Sequence, residues 1–125
     1  MSSDVRETCL CSKCGKVAAE FAAFRAGEAT GFMANREHLL RTGWFGELLR
    51  PAAYESAVAL LEKIRAGELI ALAKEDPDMF GFFCRKCSKS YCTACWQIGP
   101  PEFDDGFYDC TRGTCPECHE QVLDD

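Results

Sequence analysis

Eight of the ten cysteines fall into four Cys-x-x-Cys pairs: Cys11 and Cys14, Cys84 and Cys87, Cys92 and Cys95, Cys115 and Cys118. A two-residue spacer lets both sulfurs of a pair reach one tetrahedral ion, about 2.3 Å from each in a zinc thiolate. Four pairs complete two four-cysteine sites, so the spacing predicts two Zn²⁺ per chain. Sites saturated with sulfur hold structure, because no open position is left for a water or a substrate. Cys9 and Cys110 are left over, and either could substitute for a ligand. Otherwise Cys110 reads as a small buried apolar residue and Cys9 as a half-exposed thiol. His38 and His119 read as surface or packing residues, but His119 directly follows Cys118 and is a third possible substitute.

Other cysteine chemistries fit less well. A redox Cys-x-x-Cys sits in a βαβ setting, and no such pattern surrounds these pairs. The start of the chain, MSSDVRETCLC, has no basic region followed by an apolar stretch. That predicts a cytoplasmic protein and makes disulfides the weaker reading. Four cysteines can also hold an iron–sulfur cluster, although regular pairing favours zinc. No serine, threonine or histidine stands in a recognisable nucleophile–base arrangement.

The elements that must position these pairs are short. At 125 residues, 47% hydrophobic and 27% charged, the chain has the size and balance of one globular domain over 1–125. A first zinc knuckle spans 9–16, with Gly15 placed for a positive φ. Val17, Ala19, Phe21 and Ala23 alternate, which predicts a strand over Val17–Arg25 returning through Thr30–Asn35, although the alanines also permit a helix. Trp44-Phe45, between Gly43 and Gly46, reads as a core plug. Pro51 is placed to open a helix; Tyr54, Val58, Leu61 and Ile64 continue it, and Ala66-Gly67 stops it. A second helix over Glu68–Lys74 ends before Pro77. Together they form a helical insertion over 51–76. Residues 79–123 are the main cysteine-rich zinc module, with a strand over Met79–Phe83, a loop at Gly99-Pro100-Pro101 and a tight turn at Asp105-Gly106.

Charge narrows the partners. The formal net charge is −6 and the pI about 4.9. Residues 81–125 carry 4 basic against 8 acidic side chains, and a zinc site of four thiolates adds a further double negative charge. Phosphate binding needs a basic footprint, so nucleic acid and anionic membranes are excluded and a basic protein surface is favoured. The candidate contact is the acidic, aromatic loop carrying Glu102, Phe103, Asp104, Asp105 and Tyr108. The competing role for Phe103 and Phe107 is core packing.

The order Cys-x2-Cys, a gap of 69 residues, Cys-x2-Cys-x4-Cys-x2-Cys and a last Cys-x2-Cys resembles cross-brace, treble-clef zinc fingers. The segment from Phe83-Cys84-Arg85-Lys86-Cys87 to Tyr91-Cys92-Thr93-Ala94-Cys95 is similar to the centre of FYVE domains. Thr114-Cys115-Pro116-Glu117-Cys118 is similar to the last ligand pair of RING domains. The Trp44-Phe45-Gly46-Glu47-Leu48 and Phe107-Tyr108-Asp109-Cys110-Thr111 segments look like those of small bacterial zinc-binding proteins. The resemblance implies a small α+β, zinc-stabilised fold: a treble-clef-like module with β-hairpins and a helical insertion. It also implies site one on Cys11, Cys14, Cys92 and Cys95, and site two on Cys84, Cys87, Cys115 and Cys118. The sequential alternative joins the first pair to the second and the third to the fourth. Where FYVE domains carry a basic lipid-binding run, this chain has Asp78-Met79-Phe80-Gly81-Phe82-Phe83.

The resulting expectation is a non-catalytic, zinc-binding protein-interaction module, an adaptor or an immunity-type inhibitor, that contacts a basic partner. One alternative is a RING-like ubiquitin-ligase scaffold that docks a conjugating enzyme in a groove of exposed Leu10, Trp96 and Pro116. Another is a thiol or metal-responsive switch using Cys9 or Cys110.

Overall fold

A computed structural model describes residues 5–29, 31 and 34–125. The strands and helices run β1 (Arg6–Leu10), β2 (Val17–Phe24), β3 (His38–Thr42), β4 (Leu48–Pro51), α1 (Tyr54–Arg65), α2 (Leu69–Glu75), β5 (Phe83–Cys84), β6 (Lys89–Ser90), β7 (Gln97–Asp104), β8 (Phe107–Thr114) and β9 (Glu120–Asp124). This is a small α+β fold. It divides into two compact units: the chain up to Cys9 with Ala19–Glu68, and Leu10–Ala18 with Leu69–Asp125. The two helices of the expected insertion fall one in each unit.

The first unit is built on a sheet of order β1-β2-β3-β4. β2 is a strand, as its alternation suggests, but Ala18, Ala19, Phe21, Ala22, Ala23 and Phe24 are all buried. A central strand covered on both faces shows no clean alternation, and alanines suit it by taking little room. Its return strand is β3, with Phe24 opposite His38 and the two rings stacked 5.0 Å apart. The return expected at Thr30–Asn35 is corrected: Thr30, Phe32 and Met33 lie outside the described residues, while Gly31, Ala34 and Asn35 are turn and bend. Trp44 is fully buried, as a core plug should be. The chain reverses around it through Gly43, Phe45 and Gly46, all with positive φ.

Pro51 does not open the helix. It ends β4 opposite His38, at the sheet edge, where a missing N–H is tolerated. α1 begins at Tyr54 and buries Ala57, Leu61 and Ile64. It stops as expected: the Glu68 N–H reaches Lys63 O at 3.0 Å and the Gly67 N–H reaches Ile64 O at 3.0 Å. That is the Schellman arrangement, which needs the left-handed Gly67, φ 81°. Arg65 Nε donates to Glu7 Oε1 at 2.6 Å, tying the last helical turn to β1.

The second unit holds the two-stranded sheet β5-β6 and the three-stranded sheet β7-β8-β9. Residues 79–82 are turns rather than the expected strand, and only Phe83–Cys84 pairs, with Lys89–Ser90. Met79, Phe80, Phe82 and Phe83 are nonetheless all buried, so the apolar run marks a core and not an extended backbone. Gly99-Pro100-Pro101 is not a loop. It lies inside β7, where the register shifts between Ile98 and Pro101; β7 is an outer strand, the place where prolines without N–H groups fit.

Candidate metal centres

Each centre is assembled from short turns whose backbone hydrogen bonds aim the sulfurs inward. In the first, Gly15 N–H donates to Cys11 O at 3.0 Å and Cys11 N–H to Lys16 O at 2.7 Å. Gly15 takes φ 79° just after the second cysteine, the role its type predicts. The Ser12 N–H donates to Ser90 O at 2.7 Å and fixes this knuckle to β6. In the second, Ser88 N–H donates to Cys84 O at 2.8 Å, and Ser88 holds the equivalent positive φ of 58°. In the third, the N–H groups of Cys95 and Trp96 both reach Cys92 O, at 3.0 and 3.2 Å.

These turns bring together Cys11, Cys14, Cys92 and Cys95, whose sulfurs all lie within 4.8 Å of one another. A tetrahedral ion with bonds of about 2.3 Å sets its sulfurs about 3.8 Å apart, so four donors in this span fit one ion. Cys14 Sγ and Cys92 Sγ are 3.5 Å apart. A second group with the same span holds Cys84, Cys87, Cys115 and His119. His119 Nδ1 lies 3.1 Å from Cys87 Sγ, 3.6 Å from Cys115 Sγ and 4.0 Å from Cys84 Sγ. The first pair is thus grouped with the third, and the second with the fourth.

The fourth turn departs from the sequence expectation. Cys118 is outside the second group and exposed, and His119 stands in its place. The reason is the β8–β9 hairpin. Its register puts Thr114 opposite Glu120, so Pro116, Glu117 and Cys118 form a three-residue loop flanked by Cys115 and His119. The Cys115 N–H donates to His119 O, and the Cys118 N–H to Cys115 O, both at 2.9 Å. In the first two knuckles the left-handed residue follows the second cysteine. Here the turn is one residue tighter, and Cys118 itself takes that conformation, φ 68°. Its backbone is spent on the turn while the next residue reaches the centre.

Surrounding groups steady the second centre. Gln121 Nε2 donates to Gly81 O at 3.1 Å and Phe83 O at 2.8 Å, and Gln121 Oε1 accepts from Arg85 N–H at 3.3 Å. One side chain thereby holds β9 against the second knuckle. Nothing in the sequence singles out this residue. Trp96 is buried, with its indole N–H on Phe82 O at 3.2 Å and its ring edge-on to Tyr91.

Their electrostatics sets the clustered thiols in competition for negative charge. Burial opposes ionisation of Cys11, but backbone N–H groups of Cys14, Cys92 and Lys13 and the Cys95 thiol together pull it down to about 6. Burial and the neighbouring Cys11, Cys14 and Cys92 sulfurs push Cys95 up to about 12. The second centre repeats the split. Cys115 is lowered against its burial by the backbone N–H groups of His119 and Glu117, and Cys87 is pushed up to about 12 by burial, Glu117 and the facing thiols. Sulfurs this close cannot all ionise unaided, and a divalent cation removes the conflict.

The remaining candidates fall elsewhere. Cys9 and Cys110 are buried and in neither group, and burial raises both thiols, Cys9 to about 12. His38 is also buried, its Nδ1 2.9 Å from Arg36 O. Glu102, Phe103, Asp104, Asp105 and Tyr108 lie at the end of the β7–β8 hairpin. Phe103 and Phe107 are 64% and 78% exposed, so neither packs into a core. No helix among the described residues is long and apolar enough to cross a membrane.

No curated protein and no solved structure matches the chain. A family model described as Domain of unknown function (DUF8328) matches residues 1–125, and the chain belongs to that family.

Proposed function

We propose that the chain is a non-catalytic protein-interaction module whose cysteine-rich unit is held folded by two zinc ions in a treble-clef-like cross-brace. One ion sits on Cys11, Cys14, Cys92 and Cys95, and the other on Cys84, Cys87, Cys115 and His119. The observation that carries this reading is the pair of closed four-donor groups, each drawn from two distant segments. Thiolate and imidazole donors in fours suit zinc. A span of 4.8 Å centres the donors on a single ion and leaves no room for the inorganic core of an iron–sulfur cluster. Four protein donors leave no open coordination position, so the metal supports a surface, as in an adaptor or an immunity-type inhibitor. The ligase reading needed Trp96 in an exposed groove, and Trp96 is 3% exposed. The switch reading needed a reactive Cys9 or Cys110, and burial holds both thiols protonated.

The test is metal analysis followed by chelation. Two zinc ions per chain are expected, and a strong chelator should abolish the near-ultraviolet circular dichroism of the packed Tyr91–Trp96 pair, because metal binding is part of the folding free energy. A protein that binds no zinc and keeps that signal in chelator contradicts the reading.

A further inference from the structure

Phe103, Phe107 and Tyr108 stand at the tip of the β7–β8 ribbon. Phe103 pairs with Tyr108 and Asp104 with Phe107 across a two-residue turn. Asp105 and Gly106 close it with φ 49° and 82°, the mirror-image turn that Asp-Gly favours. Directly paired residues share a face of a ribbon. Phe103 and Tyr108 therefore lie on one side, their rings edge-on at 6.1 Å, and Phe107 lies on the other. At 64%, 43% and 78% exposure, the aromatics meet solvent on both sides. Neither face of the tip has a core of its own to cover.

The charges around these rings are not all available. Glu102 Oε2 is 3.1 Å from Arg112 Nε, and Arg112 also approaches Glu120 at 4.0 Å. The Tyr108 hydroxyl lies 2.7 Å from Asp124 Oδ2 and from Thr111 Oγ1, which anchors it to β9 and β8. Asp104, Asp105 and Asp109 remain, exposed and without an ion-pair partner among the described residues. Asp109 is the extra residue where the register shifts between Glu102 and Phe103. Along the same ribbon an open groove of about 480 Å³ is lined by Ile98, Pro100, Glu102, Arg112 and Glu120. There the chain's own guanidinium lies between two carboxylates, which shows the chemistry that this surface holds.

We propose that the tip of the β7–β8 ribbon docks an arginine- and lysine-rich segment of a protein partner, its cations seated on the Phe103 and Phe107 rings and against Asp104, Asp105 and Asp109. Cations over exposed ring faces gain from both groups at once. A second copy of the chain is the wrong occupant, since its tip presents the same carboxylates and the chain carries −6. Pairing along the β7 edge is blocked, because Pro100 and Pro101 lack N–H groups. The surface rests on the reading that this chain works by contact. It does not depend on which metal holds the fold.

The experiment uses the full chain and a labelled nona-arginine peptide at low ionic strength, read by fluorescence anisotropy, with zinc content measured on every variant. Phe107→Ala should weaken binding by about threefold or more, and Asp104→Lys with Asp109→Lys by about tenfold. Asp105 is left in place, since its positive φ disfavours lysine. Glu62→Lys with Glu68→Lys makes the same change in net charge on the other unit and should shift affinity less than about twofold. Zinc content should match wild type throughout. Equal weakening by the two double variants, or unchanged affinity in Phe107→Ala and Phe103→Ala, overturns the proposal, because the peptide then reads net charge alone. Self-association in sedimentation that Phe107→Ala removes would make a second copy the occupant and also overturns it. Failure of the zinc reading shows separately, as wild-type protein without metal.

Discussion

Cys87 Sγ and His119 Nδ1 face each other at 3.1 Å, although the residue that completes the Cys-x-x-Cys spacing is Cys118. The spacing describes four equivalent pairs, but the hairpin between β8 and β9 is one residue too tight for the last of them. Cys118 spends its backbone on a left-handed turn, a conformation that costs a non-glycine residue about 1 kcal/mol or more.

Cys118→Gly should therefore retain both ions and raise stability by up to about 1 kcal/mol, less the extra freedom glycine has when unfolded. His119→Ala should weaken the second ion by more than the roughly 10–100-fold that loss of a mere supporting partner causes. Competition with a metallochromic chelator measures both. Loss of the ion in Cys118→Gly and retention in His119→Ala would restore the four-cysteine site.

The division between what the sequence shows and what it hides follows from this hairpin. The pairs themselves, the Gly15 turn, the helix over Tyr54–Ile64, its Gly67 stop and the buried Trp44 were legible because each depends on local chemistry. His119 stood out as a possible substitute by adjoining Cys118, but the choice between the two was not legible, because it depends on the register Thr114–Glu120, set by the pairing of β8 with β9. Pro51 misled for a similar reason. A proline that suits a helix start equally suits an outer strand, and only the opposing His38 decides. Phe103 and Phe107 could have packed inward, and their exposure goes with their place at the turn of the β7–β8 ribbon, on opposite faces of it.

Gly113 tests the packing behind the last ligand turn. A Cβ there would overlap Leu123 Cδ1 and lie 3.1 Å from Gln97 O. Leu123 is 1% exposed, so its side chain can shift only by repacking against its neighbours, and the Gln97 carbonyl is backbone. Gly113→Ala should cost about 1–3 kcal/mol, seen as a lower midpoint in denaturant. An unchanged midpoint would mean that β8 and β9 lie farther apart than this.

Cys110 gives a pH signature. Burial first, then Glu102 and Asp109, raise its thiol above the ordinary 9.0. The unfolded thiol then ionises at a lower pH than the folded one, so above about pH 9 the folded state binds more protons than the unfolded state. Stability is fully present below that pH and declines as pH rises through the window between the two values. Cys110→Ala should show a shallower alkaline decline than wild type in paired denaturation curves. Identical slopes would mean that Cys110 meets water.

The most direct measurement counts metal ions in pairwise variants by native mass spectrometry. Wild type should carry two. Cys14→Ala with Cys95→Ala, both within the first group, should carry one, and so should Cys87→Ala with His119→Ala, both within the second. Cys14→Ala with Cys87→Ala breaks one donor in each group and should carry none at stoichiometric zinc. One ion retained by that last variant would put Cys14 and Cys87 on a shared site, and a wild type that carries none would remove the metal from the account.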